Sequence, residues 1–139
     1  SLRWMRFSGR GRMEKLNGNI VIDGAHNESA IERFTESVNA GYADREKTLL
    51  FAVAGDKDYE PMIAYLMQNL EVEAVYVTSL DSDRAISAEY IAALFRDCAK
   101  KTDAMYMSMQ IMTSEAVSRK HMQLWRHAAA CCFAWALCI

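Results

Sequence analysis

The sequence predicts an α/β fold with a mostly parallel sheet, and two observations carry this prediction. Short apolar runs alternate with stretches of helical periodicity over about the first hundred residues, in the order β-α-β-α-β-α. A polar turn follows each apolar run, as is typical where parallel strands end beside a ligand cleft. We therefore expect a three-layer, Rossmann-like domain with right-handed crossovers and helices flanking the sheet.

The first strand and helix are predicted between residues 19 and 41. Residues 19–22 are a short apolar run, and Asp23-Gly24 forms a turn after it. Asn27 has the side chain of a helix N-cap, and Glu28 adds the negative charge that is favoured in a first turn. Apolar side chains then recur at helical spacing as far as Gly41: Ala30, Ile31, Phe34 and Val38.

Two further strand–helix units follow. Residues 48–54 are continuously apolar, which predicts a strand buried on both faces. Pro61 is tolerated in the first turn of the next helix. Residues 74–77 form the third predicted strand, and Ser87 caps the third helix. The two helices have the apolar stripes Met62, Ile63, Leu66, Met67 and Leu70, and Ile91, Leu94, Phe95 and Cys98.

The two ends of the chain differ from this pattern. Residues 1–18 are basic and interrupted by glycine, so we interpret them as an interdomain linker preceding a domain at 19–103. Residues 104–139 are atypical, since five of the nine methionines lie between Met105 and Met122. Within this segment, residues 104–111 fit a fourth strand and residues 114–126 a helix. Residues 128–139 have no polar face and fit a buried strand, a buried helix end or an abnormal sequence.

Composition excludes several functional classes. The 139 residues are 52% hydrophobic with a net charge of -2, which argues against disorder and against a basic nucleic-acid binder. No apolar run approaches the roughly 20 residues that span a bilayer, and no secretory signal is visible. The four cysteines lack CxxC or zinc-like spacing, so we predict reduced thiols, a cytoplasmic location and no metal site of this chain's own.

The segment Asp23-Gly24-Ala25-His26-Asn27 is the strongest candidate site. It combines a carboxylate, an imidazole and an amide between a strand and a helix N-terminus. Backbone N–H groups at such a position favour phosphate, and a carboxylate at a strand end can accept hydrogen bonds from ribose. The structural alternative is equally open at this point: Asp23 and Asn27 cap the turn, and His26 satisfies a buried carbonyl.

Other polar segments carry weaker signals. Lys57 and Asp58 follow the second strand and form either a substrate cleft or a solvated turn. Arg10 and Arg12 lie in the basic linker, and the loop at 81–84 is more typical of a solvated surface. The GxxxxGK[ST] phosphate loop occurs nowhere in the chain, so the main phosphate cradle of any ATP chemistry lies elsewhere.

These motifs, taken in order, resemble a known family. Gly11-Arg12-Met13-Glu14, the D-G-A-H-N string at 23–27, Asp56-Lys57-Asp58 and Arg84-Ala85 are similar to the C-terminal domain of folylpolyglutamate synthase / dihydrofolate synthase, within the Mur ligase superfamily. The resemblance covers roughly residues 4 to 103. It implies that residues 19–103 are a nucleotide-cleft domain of an ATP-dependent enzyme that joins glutamate to folate or dihydropteroate through an acyl phosphate.

The resemblance also implies roles for individual residues. Arg12 would contact the ATP phosphates from the hinge, Asp23 would hold the ribose hydroxyls, and His26 would face the terminal phosphate or the acyl phosphate. Asn27 would lie beside His26, with Lys57 and Asp58 lining the same cleft. The implied cofactor is ATP with Mg²⁺, over which this domain would close. The phosphate loop and the Mg²⁺ ligands would belong to an N-terminal ATPase domain absent from this chain, so the isolated chain should be inactive.

Two alternatives to the ligase interpretation stay open. One is a stand-alone flavodoxin-like module that binds a nucleotide or metabolite, and the other is an interaction domain that self-associates through its apolar tail.

The resemblance also implies a final strand close to G-S-L-Y-L-V-G, which the chain lacks. Back-translation of residues 134–139 in a shifted frame permits Leu-Gly-Ser-Leu-Tyr, so residues 104–139 are hypothesised to be a frameshifted C-terminal segment.

Overall fold

The computed structural model describes residues 14–16, 20–79, 83–102, 109–113 and 135–138. These residues form six strands and three helices. The strands are β1 (Glu14–Leu16), β2 (Ile20–Asp23), β3 (Thr48–Phe51), β4 (Ala74–Val77), β5 (Gln110–Thr113) and β6 (Trp135–Cys138). The helices are α1 (Glu28–Gly41), α2 (Tyr59–Asn69) and α3 (Ala88–Lys101).

The strands form one sheet in the order β1-β2-β6-β3-β4-β5. β3, β4 and β5 are parallel neighbours, and β6 pairs antiparallel with both β2 and β3. Because β6 runs against both of its neighbours, β2 points in the same direction as β3, β4 and β5. Each of α1, α2 and α3 connects two successive strands of this set. The predicted α/β class, with a mostly parallel sheet flanked by helices, is confirmed.

Local sequence explains where the helices begin. The Asn27 side chain accepts the Ala30 N–H at 2.8 Å, so the predicted N-cap of α1 is confirmed. Ser87 caps α3 in the same way by accepting the Tyr90 N–H. α2 begins directly after Asp58, whose side chain makes no capping hydrogen bond, and Pro61 lies in its first turn.

The core lies between the sheet and the helices. β3 ends at Phe51, three residues before the end of the predicted strand at 48–54. Residues 49–54 are nevertheless all buried, so the predicted burial on both faces is confirmed. Leu49, Phe51 and Val53 belong to the main cluster, whereas the alternating Ala52 and Ala54 form a separate one. Strands β2 and β4 add Val21, Val75 and Val77 to this main cluster. The helices supply its largest share: Ile31, Phe34, Val38, Met62, Ile63, Leu66, Met67, Ile91, Ala92 and Phe95.

Two further strands differ from the sequence-based expectation. β1 forms at Glu14–Leu16, inside the segment interpreted as a linker without regular structure. It is only three residues long and pairs with β2 at the edge of the described sheet, where short, charged strands are common. β5 begins at Gln110, later than the strand predicted for residues 104–111. Residues 103–108 lie outside the described residues.

The C-terminal segment contributes a strand to the centre of the sheet. Of the three alternatives for residues 128–139, a strand is observed at Trp135–Cys138. It is antiparallel to both neighbours, whereas a regular parallel strand at 131–137 would have contradicted the frameshift hypothesis. The helix predicted for residues 114–126 lies outside the described residues. The reading-frame origin of the segment therefore stays a prediction, which sequencing the gene would test.

Thr35 gives a first testable expectation about stability. Its side chain is 1% exposed in α1, and its hydroxyl oxygen has no hydrogen-bond partner. A buried hydroxyl without a partner costs about 1–3 kcal/mol of desolvation. We therefore expect Thr35→Val, which keeps the shape and removes the hydroxyl, to leave the free energy of unfolding unchanged or raise it by about 1 kcal/mol. Urea unfolding checks this, and a loss above 1 kcal/mol would show that the hydroxyl is bonded.

Candidate functional site

Three loops lie at the carboxyl edge of the sheet. They follow β2, β3 and β4 and lead into α1, α2 and α3. Because these strands point the same way, the loops share one edge, where ligands bind in open α/β sheets. β6 lies between β2 and β3. At the usual spacing of neighbouring strands, the ends of β2 and β3 are therefore about 10 Å apart.

Asp23 ends β2 and is held in the turn that follows. It is 6% exposed, and its Oδ1 accepts the Ala25 N–H at 2.9 Å. Oδ1 of Asp23 therefore caps the turn, which is the structural role that the sequence analysis left open for this residue. A buried carboxylate needs hydrogen-bond donors, and the Ala25 N–H supplies one of them. Asp23 takes part in a further interaction as well.

His26 is exposed at the tip of the same loop. Its Nδ1 lies 3.2 Å from the Gly24 carbonyl oxygen, which favours the tautomer that carries the proton on Nδ1. Nε2 is then the ring atom that chemistry at this site would use. Asn27 follows at the start of α1, where its side-chain oxygen caps Ala30. The caps predicted as the structural alternative for this loop are therefore present alongside an exposed imidazole.

Lys57 and Asp58 lie in the loop after β3. The Lys57 N–H donates to the Ala54 carbonyl at 3.2 Å, which closes a tight turn at residues 54–57. Asp58 is the N-cap position of α2. The structure therefore places both residues at the same sheet edge as Asp23 and His26, but on the far side of β6.

The ion pair between Asp56 and Arg84 was not predicted as part of a site. Arg84 Nη1 donates to Asp56 Oδ2 at 3.1 Å, and both side chains are about half exposed. Slight desolvation favours the neutral acid, but the hydrogen bond and charge of Arg84, with the charge of Lys57, hold the pKa of Asp56 below its ordinary value. Asp56 is therefore a carboxylate at neutral pH. The two partners are 28 positions apart, and no sequence pattern links them.

The three helix N-termini differ in how far their N–H groups are already used. At α3, Ser79 Oγ accepts the Ala88 N–H at 3.0 Å, and Ser87 Oγ accepts the Tyr90 N–H. At α1, the capping acceptor is the Asn27 side chain. At α2 the Asp58 side chain caps nothing. An anion would therefore meet less competition at α1 and α2 than at α3.

Arg12 and the rest of residues 1–13 lie outside the described residues, as do residues 80–82. Within the part of the chain that the structure describes, no group of three or more His, Cys, Asp or Glu residues is arranged to hold a metal ion. Likewise, none of the described helices has both the length and the hydropathy of a membrane span. Cys98 carries a free thiol whose pKa is raised by burial.

The family follows from a comparison with known protein families. The family described as Mur ligase, glutamate ligase domain, matches residues 11–125. The chain belongs to this family. The match covers the described loops after β2, β3 and β4, so the candidate site lies inside the glutamate ligase domain. It also confirms the predicted resemblance to the Mur ligase superfamily.

Two curated proteins that are similar to this chain both carry the name folylpolyglutamate synthase. Over 81 residues, the chain is 31% identical to a dihydrofolate synthase/folylpolyglutamate synthase of Bacillus subtilis, covering 57% of this chain and 18% of that protein. Over 110 residues, it is 30% identical to a probable bifunctional folylpolyglutamate synthase/dihydropteroate synthase of Halobacterium salinarum, covering 78% of this chain and 13% of that protein. The chain thus spans less than a fifth of either relative. No solved structure matches it.

Proposed function

We propose that this chain is the C-terminal domain of an ATP-dependent ligase that adds glutamate to folate or dihydropteroate through an acyl phosphate. The observation that carries the proposal is the D-G-A-H-N segment at the end of β2 and the start of α1, inside a glutamate ligase domain. Both curated relatives carry the name folylpolyglutamate synthase. The domain would close over ATP and glutamate when the parent enzyme assembles its site.

Asp23 and Asn27 form the nucleotide-binding part of the proposal. Asp23 is fixed at the end of β2 by the Ala25 N–H, so its carboxylate is already oriented before a ligand arrives. This oriented carboxylate would accept a ribose hydroxyl. The Asn27 oxygen is occupied by Ala30, so its amide N–H groups are the atoms offered to a phosphate oxygen.

His26 and Arg12 form the catalytic part. The transferred phosphoryl group spreads negative charge over several oxygens, and positioned cationic or N–H donors stabilise that charge. In its cationic form, His26 would donate from Nε2 while Nδ1 stays engaged with Gly24. Arg12 would act from the linker. Lys57 and Asp58 would line the cleft on the far side of β6, where Lys57 suits a carboxylate or a phosphate.

The metal ligands and phosphate loop are proposed for an N-terminal ATPase domain of the same polypeptide. The described residues contain no three-ligand acidic or His/Cys group for Mg²⁺, so Mg²⁺ would arrive with ATP and that domain. We place the intact enzyme in the cytoplasm, with no nucleic-acid partner. A GxxxxGK[ST] motif in the coding sequence upstream of Asp23 would support the proposed N-terminal ATPase domain, and an upstream sequence without one would contradict it.

The isolated chain is expected to be catalytically inactive. Its sequence lacks the phosphate loop that would hold the β- and γ-phosphates for transfer. Incubated with ATP, Mg²⁺, glutamate and folate, the purified 139-residue chain should release no ADP above the buffer background in a coupled assay. Release of ADP at a rate on the order of 1 per second would overturn the assignment of phosphoryl transfer to another domain.

A further inference from the structure

The loops after β3 and β4 are joined by hydrogen bonds. The Gly55 N–H donates to the Arg84 carbonyl at 2.8 Å, and Ala54 forms an isolated antiparallel bridge with Ala85. The side chains add the hydrogen bond from Arg84 Nη1 to Asp56 Oδ2 at 3.1 Å. Two loops that are distant in sequence are therefore joined by both backbone and side-chain contacts.

The backbone contact is close at Gly55. A Cβ atom added there would lie 3.4 Å from the Arg84 carbonyl oxygen and 3.7 Å from Ile86 Cβ. The base of the β3–α2 loop is thus already in contact with its neighbour. Residues 56–58 form the outer part of the loop and extend beyond the Ala54–Ala85 bridge. The backbone contact therefore does not fix their position.

Asp56 lies inside the turn that carries Lys57. The Lys57 N–H donates to the Ala54 carbonyl at 3.2 Å, so Asp56 is enclosed between the two ends of that hydrogen bond. Anchoring the Asp56 side chain to Arg84 therefore restrains the peptide units on both sides of it. One of these units carries Lys57, which also contributes positive charge beside Asp56.

We propose that Asp56 and Arg84 form an ionic latch that orders the β3–α2 loop and positions Lys57 at the carboxyl edge of the sheet. Asp56 is a positioning residue that acts through Arg84. The value of a positioned Lys57 to catalysis rests on the proposed function, whereas the latch itself does not. Because the two side chains are 47% and 52% exposed, the latch adds little to global stability and its effect is local.

Amide hydrogen exchange of this chain, followed by NMR, tests the latch. In Asp56→Asn, the Gly55 and Lys57 amides should exchange about two- to fivefold faster, the range expected when an exposed ion pair is lost. The Glu73 N–H, which donates to the Lys47 carbonyl at the opposite end of the sheet, should keep its rate. A purely structural role would instead accelerate all amides together and lower the Tm.

Three further variants complete the test. Asp44→Asn removes an exposed charge from the α1–β3 loop and should leave the exchange rates of the Gly55 and Lys57 amides unchanged. Arg84→Gln should reproduce Asp56→Asn, and the two changes combined should add nothing further, because they remove one interaction. The charge swap Asp56→Arg with Arg84→Asp should restore slow exchange.

Unchanged Gly55 exchange in both single latch variants, or equal acceleration in Asp44→Asn, would overturn the latch. The assay contains no nucleotide or folate, so this result would leave the proposed ligase function standing. Conversely, a failure of ligase activity in the parent enzyme would not alter the exchange rates. The two proposals therefore fail separately.

Discussion

In the proposed full-length ligase, His26→Ala is expected to lower kcat about 10²–10³-fold with little change in the KM for ATP. The exposed imidazole at the end of the β2–α1 loop would meet charge that develops only in the transition state, so its loss appears in turnover. Asp23→Asn is expected to raise the KM for ATP about tenfold with a smaller change in kcat. The proposed ribose contact would exist in both the ground state and the transition state, so its loss would appear in the KM.

Asparagine is the appropriate replacement at Asp23 because it keeps an oxygen for the Ala25 N–H while removing the charge. Glu36→Ala supplies the control, since Glu36 is an exposed acidic residue on α1, away from its N-terminus. Steady-state ADP release measured at varied ATP separates the two parameters. Wild-type kinetics in both site variants would show that the D-G-A-H-N segment only caps the turn and the helix.

Phe51→Ala is expected to lower the free energy of unfolding by about 3–5 kcal/mol. Phe51 is 0% exposed at the end of β3, and its ring packs edge-on against Phe95 of α3, with ring centroids 4.8 Å apart. Truncation removes both the transfer free energy of the ring and its contacts with α3, and leaves a cavity between sheet and helix. Such a loss is a large fraction of the stability of an ordinary domain, so the urea midpoint should fall markedly.

Urea unfolding of this chain measures the effect, with Tyr90→Ala as the matched aromatic control. Tyr90 is 48% exposed and makes a looser edge-on contact with Tyr59 at 6.3 Å, so its truncation should cost less than about 1 kcal/mol. Phe51→Leu should fall between the two, because it retains most of the buried volume. Equal losses for Phe51→Ala and Tyr90→Ala would contradict the assigned core.

Local signals predicted the elements that local physics determines. Asn27 and Ser87 cap their helices where the sequence placed them, and the apolar run at residues 49–54 is buried throughout. These features depend on neighbours a few positions away. The location of His26 and Lys57 at the carboxyl edge of the sheet could also be predicted from the sequence. Alternating strands and helices make the strands parallel, so the loops after them lie at the same edge.

Non-local pairing accounts for what the sequence did not predict. The insertion of β6 between β2 and β3 depends on contacts between residues 86 to 118 positions apart, and no periodicity encodes such pairing. The same holds for the Asp56–Arg84 pair. The burial of Lys47 was missed for a different reason, because its partners are local. Lys47 is 3% exposed, and its Nζ donates to the carbonyls of Tyr42 and Arg45 in the loop after α1. Those acceptors become visible only once the loop is folded.

The most direct test of the central proposal is the product formed by the full-length protein from ATP, glutamate and either folate or dihydropteroate. Mass spectrometry should detect substrate extended by one glutamyl residue, with ADP released in equal amount and only when all three substrates are present. His26→Ala should slow both products together. Consumption of ATP without a glutamylated product, or an unchanged product rate in His26→Ala, would contradict the account.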